Sequence, residues 1–172
     1  MDLRAHIRDI PDFPKPGIVF KDLTPLFLHP PALEHTVELL ARYASDRDVD
    51  LVVAAEARGF ILGGAIAARV GAGFIPARKP GKLPAEVDSV EYALEYGLDA
   101  LEVHHDAFAG GPRVLVHDDL LATGGTARAV CDLAERAGAE VVGCAFVIEL
   151  GFLDGRDQLQ GYDVRSLVRY EE

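Results

Sequence analysis

The stretch Val114–Ala129, VLVHDDLLATGGTARA, constrains this chain more than any other part of it. The run Val114 to His117 reads as a buried β-strand and leads into two adjacent carboxylates, Asp118 and Asp119. A short apolar step through Ala122 follows, and Thr123, Gly124, Gly125 and Thr126 then open a helix. Glycines at such a turn let backbone N–H groups converge on one point, and the threonine hydroxyls add donors. The helix N-terminus contributes partial positive charge, so the turn can hold a phosphate monoester. Carboxylates just before that turn would repel the phosphate unless they face something else. As pure acceptors they suit vicinal hydroxyls, or a cation that travels with a phosphate ester. A ribose 5-phosphate satisfies both halves of the motif. The plainer alternative is a strand–turn–helix junction whose acids cap the helix and whose glycines only make the turn. The turn is neither a Walker loop, since no Gly-Lys-Ser/Thr closes it, nor a GxGxxG fingerprint.

A strand feeding a helix N-terminus is half of a β-α-β unit, and the rest of the chain repeats the alternation. Prolines 11, 14, 16, 25, 30 and 31 make the first thirty residues an irregular entry segment. Helical periodicity follows over Ala32–Arg47, then a buried strand over Leu51–Ala55, a small-residue helix over Gly59–Val70 and a short strand over Gly73–Ala77. Val90–Val103 alternates on either side of Gly97, the pattern of a β-hairpin. Val141–Glu149 and Ser166–Arg169 complete the strands. The expected fold class is therefore α/β, one domain over residues 1–172, with a mostly parallel twisted sheet flanked by helices. Ligands in such folds bind beyond the carboxyl ends of the strands, where both the Asp118 turn and the Glu56 turn fall.

Composition narrows the class. The chain has 172 residues, no apolar run long enough to span a membrane, and an amphipathic start, MDLRAHIRDI, unlike a signal peptide. Its net charge of −11 argues against nucleic acid as a partner. Two cysteines outside any CxxC pattern, Cys131 and Cys144, read as buried free thiols of a cytoplasmic protein. His104 and His105 read as solvated residues at a strand end, and His117 stands where an aliphatic residue is expected and is given no role.

With these residues in view, the chain resembles the type I phosphoribosyltransferases, and within them the adenine-specific members. The resemblance runs from DFPKPGIVFKDLTPLF near the N-terminus to VIELGFLDGRDQL near the C-terminus. It implies an N-terminal hood over about residues 1–30 and a mobile hairpin lid over about residues 79–103. Ala122 is informative, because hypoxanthine and orotate members usually carry an acidic residue there.

By the same resemblance, EARGF, Glu56–Phe60, is the pyrophosphate turn, with Arg58 as the fork of donors. Converging amides there predict strained backbone, with a non-proline cis peptide at Glu56–Ala57. In ARKPGKLP, Lys79 and Lys82 are assigned to pyrophosphate, and Arg78 to it or to a contact across a dimer interface; taken alone, this cluster could be a solvated face. In VEYALEYG the matching acid/base residue is Glu95 with Tyr96 beside it, Glu91 being the internal competitor. Phe20 would stack on the purine, with main-chain groups of Val19 and Lys21 reading its edge, although Phe20 and Phe27 could equally be core of a proline-rich loop. Asp118 and Asp119 would hold the ribose hydroxyls, and Ala122 to Thr126 the 5-phosphate.

The implied reaction joins adenine to phosphoribosyl pyrophosphate, giving AMP and pyrophosphate. Mg2+ would arrive with the substrate, with no direct protein ligand beyond a water-bridged contact to Asp118 or Asp119. The implied assembly is a homodimer. A phosphoribosyl pyrophosphate sensor built on the same domain would need a separate DNA-binding unit, for which this chain has neither room nor a basic helix.

Overall fold

The computed structural model of the chain describes residues 1–94 and 97–172. Five strands form a parallel sheet in the order β4-β3-β7-β8-β9: β3 is Leu51–Ala55, β4 Gly73–Ala77, β7 Arg113–Leu121, β8 Glu140–Leu150 and β9 Val164–Tyr170. The strands are apolar on both sides because both sides are covered. Val52, Leu115, Ala145 and Val147 face helices α2 (Pro30–Ser45) and α3 (Gly59–Val70), packing on Leu40, Leu62 and Ile66. Their alternates Val53, Val116, Cys144 and Phe146 face α4 (Gly125–Arg136), with Val130, Cys131 and Leu133. A hairpin of β5 (Val87–Leu94) and β6 (Gly97–His104) shares that second core through Val90, Leu101 and Val103.

Strands β3 and β4 and helix α3 begin and end where the pattern of the sequence puts them. Three expectations need correction. The entry segment is not wholly irregular: β1 (Arg8–Ile10) pairs antiparallel with β2 (Phe20–Asp22), and a short helix α1 covers Thr24–Leu28. Pro30 and Pro31 open α2 instead of preceding it, since the first helical positions need no N–H donor, and His29 Nδ1 accepts from the Ala32 amide at 3.2 Å. Strand β7 does not stop at His117. It pairs with β8 as far as Leu121, so both carboxylates lie inside the strand, with Asp118 opposite Phe146.

Two buried ring nitrogens, His104 Nε2 and His117 Nε2, have no hydrogen-bond partner among the described residues. Cys131 and Cys144 are free and buried, with their sulfurs 3.7 Å apart. His117 is buried at the sheet centre with Nδ1 2.9 Å from the Ala145 carbonyl, and burial lowers its pKa to about 4, so it is neutral. His105 is exposed beside Asp88, but His104 departs from expectation: its Nε2 is buried without a hydrogen-bond partner. No helix among the described residues is long and apolar enough to cross a membrane.

At the end of β8, Glu149 is buried and accepts both arms of Arg156, Nε and Nη2, at 2.8 Å each. That two-point bond, aided by the charges of Arg156 and Arg169, holds the Glu149 carboxyl below its ordinary range. Because the folded value is the lower one, the stabilisation is complete above the ordinary carboxylate pKa and is lost as pH falls through the depressed value. Acid titration of urea midpoints from neutrality to about pH 3 should therefore fall less steeply in Glu149→Gln than in the wild type. Parallel profiles for the two proteins would show that this pair does not carry the acid limb.

Candidate active site

The segment Ala122–Thr126 bridges the end of β7 to the start of α4. Gly124 sits at φ +85°, a conformation an L side chain rarely adopts, and it caps α4 with no side chain bonding the first-turn amides. Those amides and the helix dipole face a pocket of about 70 Å3, lined by Asp118, Leu121, the turn itself and Phe146. That is room for a group of phosphate size, against roughly 30 Å3 for one water. The pocket can hold a small anion by backbone donors alone.

Successive strand residues alternate faces, yet both carboxylates reach the turn that opens α3. Asp119 is buried, and its Oδ2 accepts from Arg58 Nε at 2.5 Å. Asp118 Oδ1 lies so close to Gly59 that a Cβ there would come within 2.9 Å of it. Burial, with the Asp119 charge beside it, holds the Asp118 carboxyl well above its usual range. A buried acceptor pair of this kind is disposed to take hydrogen bonds from hydroxyl groups or to meet positive charge.

The Glu56–Ala57 peptide is cis, as its position in the turn led one to expect. Arg58, Arg78, Lys79 and Lys82, the cations the resemblance assigns to pyrophosphate, are each engaged by a carboxylate. Arg58 is on Asp119, and its guanidinium carbon also lies 5.3 Å from the Phe20 ring centre, so it links the hood to the acidic pair. Glu56 gathers the rest: it accepts from Arg78 Nε at 3.2 Å and from the Lys79 amide at 2.9 Å, and pairs with Lys82 Nζ at 3.6 Å. The Lys79 amide bond, with the charges of Lys82 and Arg78, keeps the Glu56 carboxyl below its ordinary range. Lys79 Nζ is bonded to Asp99 of β6, whose Oδ2 also accepts from Tyr92 Oη at 3.2 Å. Tyr92 Oη is in turn 3.5 Å from Thr126 Oγ1, which ties the hairpin to the phosphate turn. A polyanion entering here exchanges partners with Glu56 and Asp99 instead of meeting bare charge.

The sequence places Glu56 and Gly59 in the Glu56–Phe60 turn but gives their side-chain contacts no part, and it gives none to Tyr92 or Asp99. Tyr92 and Asp99 face each other across the hairpin, a pairing that only the register reveals.

In the N-terminal segment, Phe20 opens β2 with Phe13 edge-on at 5.2 Å, and Val19 is exposed. The Lys21 ammonium is engaged by Asp9 at 2.8 Å and sits 4.1 Å from the Tyr170 ring centre. The Lys21 side chain is thus engaged, and Lys21 is also the β2 partner of Asp9 in the β1–β2 ladder. Glu95 and Tyr96 lie outside the described residues.

The family model for the phosphoribosyl transferase domain matches residues 26–167. An adenine phosphoribosyltransferase of Rubrobacter xylanophilus is 58% identical over 99% of this chain and 92% of its own. The chain belongs to the adenine phosphoribosyltransferase family. The crystal structure of such an enzyme from Thermoanaerobacter pseudethanolicus superposes with a TM-score of 0.95 at 52% identity, covering 98% of each chain. The Giardia lamblia family member, solved with 9-deazaadenine, gives 0.93 at 37% identity over 99% of this chain and 97% of its own. The general domain match begins at residue 26, whereas similarity to adenine phosphoribosyltransferases covers the preceding residues as well. The N-terminal segment is therefore part of what this chain shares with the adenine-specific family beyond the common domain.

Proposed function

We propose that this chain transfers the 5-phosphoribosyl group from phosphoribosyl pyrophosphate to adenine, releasing AMP and pyrophosphate, a purine salvage reaction. The observation that carries the reading is the phosphate-sized pocket at the uncapped start of α4, beside the acidic pair, in a chain whose relatives across its whole length are adenine phosphoribosyltransferases. In this reading the 5-phosphate takes the amides and hydroxyls of Ala122 to Thr126, and the ribose hydroxyls donate to Asp118 and Asp119. The bond between C1 of the ribose and the pyrophosphate oxygen breaks while a bond from a ring nitrogen of adenine forms. The transition state gathers positive charge at C1, which the acidic pair stabilises.

Lys79, Lys82, Arg78 and Arg58 take up the leaving pyrophosphate by exchanging their carboxylate partners for its oxygens. Arg78 reaches across a homodimer interface or serves its own site. The proton that the purine must lose goes to Glu95, with Tyr96 beside it. Phe20 stacks on the base, and the main chain of Val19 and Lys21 reads its edge. Residues 79–103 close as a lid over the site and residues 1–30 form the hood of a single domain, keeping water from the activated sugar.

Among the described residues no three His, Cys, Asp or Glu side chains come together to hold a metal ion. The hard carboxylate oxygens of Asp118 and Asp119 would suit a water-mediated contact to Mg2+. Bound there, Mg2+ would supply positive charge to the pyrophosphate. The compartment is the cytoplasm.

The test is AMP formation from adenine and phosphoribosyl pyrophosphate with magnesium, beside hypoxanthine, guanine and orotate. Selective use of adenine is expected, with kcat/KM at least about 100-fold above the other bases, since a base edge read by hydrogen bonds penalises mismatched groups. Preference for a 6-oxopurine would overturn the assignment of the base, and tight phosphoribosyl pyrophosphate binding without turnover would make the chain a sensor.

A further inference from the structure

We propose that the C-terminal segment Gly155–Leu159 sets the shape of the phosphate turn, with Gly155 and Arg156 as positioning residues. This rests on the reading of Ala122–Thr126 as the 5-phosphate site.

The segment and the turn are in backbone contact at two glycines. A Cβ built on Gly155, which is buried, would fall 2.2 Å from the Ala122 carbonyl oxygen and 3.1 Å from a methyl of Leu121. A Cβ on Gly124 would fall 2.3 Å from the Gly155 carbonyl oxygen and 3.0 Å from Gln158 Cβ. Neither position has space for a side chain, and neither clash can be relieved by a rotamer change, because the atoms met are backbone. Leu159 then anchors the far end of the segment in the same core as Leu121 and Ala127.

The near end is fixed by charge. Arg156 makes its two-point bond to Glu149 and a third, Nη1 to the Val164 carbonyl, at 3.2 Å. Glu149 is the β8 partner of Leu121, the last residue of β7 before the turn. The path is closed: from Leu121 across the sheet to Glu149, through Arg156 to Gly155, and from Gly155 back onto Ala122 and Gly124. The turn is held from below by a segment that packs on it at Ala122 and Gly124. Amides that must converge on one anion need this, since a displacement of about 1 Å at a binding or reacting group can cost on the order of 100-fold.

The experiment titrates ribose 5-phosphate into the full-length wild type, Gly155→Ala, Arg156→Ala and Arg156→Lys, with steady-state kinetics alongside. Gly155→Ala should weaken ribose 5-phosphate and raise KM for phosphoribosyl pyrophosphate by about tenfold or more, with KM for adenine changed less than about twofold. Arg156→Ala should shift the same two quantities in the same direction, and Arg156→Lys should recover part of the loss, because lysine keeps the charge on Glu149 but not the fork. A merely structural role would lower thermal stability and affect both substrates alike. Should Gly155→Ala fail to fold, the two Arg156 variants decide the matter by the same titration. Wild-type affinity for ribose 5-phosphate in every variant that folds would overturn the proposal. A wild type that binds ribose 5-phosphate and responds to the variants, yet does not use adenine, would overturn the functional reading and leave the positioning role standing. A wild type that does not bind ribose 5-phosphate would overturn both.

Discussion

The double variant Asp118→Asn, Asp119→Asn should fold and should lose about three orders of magnitude or more in kcat/KM for phosphoribosyl pyrophosphate. Asparagine keeps the shape of each side chain and one acceptor oxygen, so the ribose can still be bound. It removes the negative charge carried by the pair, which on the proposed reaction lies nearest the sugar carbon that becomes cationic, where a low-dielectric site makes charge most effective. Folding is spared for reasons specific to each position. Asp118 is already a carboxyl whose burial disfavours the charged form, so a neutral amide relieves a cost. Asp119 does lose the Arg58 contact, but the Arg58 side chain is 55% exposed and water can take up its guanidinium. Thermal melts and steady-state kinetics on the purified variant check both halves. Activity within about tenfold of wild type would remove the acidic pair from the reaction, and loss of folding would mean the pair is structural.

Legibility from the sequence divided along the range of the interactions involved. Strands β3 and β4, the helix α3 and the turn at Gly124 are local: apolar runs, small residues and glycines specify them within a few positions. The length of β7 is not local. Asp118 and Asp119 look like the end of a strand because acids seldom sit in one, but pairing with β8 carries the ladder through them to Leu121. Pro30 and Pro31 look like a break and are a helix start, a distinction set by the His29 cap. The cations were legible as a group but not their state. That Glu56 collects Arg78 and Lys82, and that Asp99 holds Lys79, depends on β4 and the hairpin converging on the turn after β3. A net charge of −11 is thus felt locally as specific carboxylates, Glu56, Asp99 and Asp119, paired with these cations. The buttress at Gly155 was invisible for the same reason, since a glycine and an arginine in a C-terminal loop carry no signal until the loop is laid against Ala122.

Phe146→Ala should be the most destabilising single change at the site, by about 3–5 kcal/mol in urea unfolding. Phe146 is fully buried in β8, opposite Asp118, in the core that includes Val130, Leu121 and Leu159, and it is among the residues lining the pocket at the start of α4. Truncation removes the ring from contacts on both the sheet and α4, and backbone paired on both sides cannot collapse to fill the space. The same change should weaken ribose 5-phosphate, because the turn and the N-terminus of α4 then rest on a void. Phe146→Leu, which keeps most of the volume, should retain the larger part of the stability and of the binding. The two measurements should move together, since one residue belongs both to the core and to the lining of the pocket. A loss below about 1 kcal/mol would mean the core repacks around the gap. Full stability loss with unchanged ribose 5-phosphate affinity would mean that the turn keeps its shape from the Gly155 side alone.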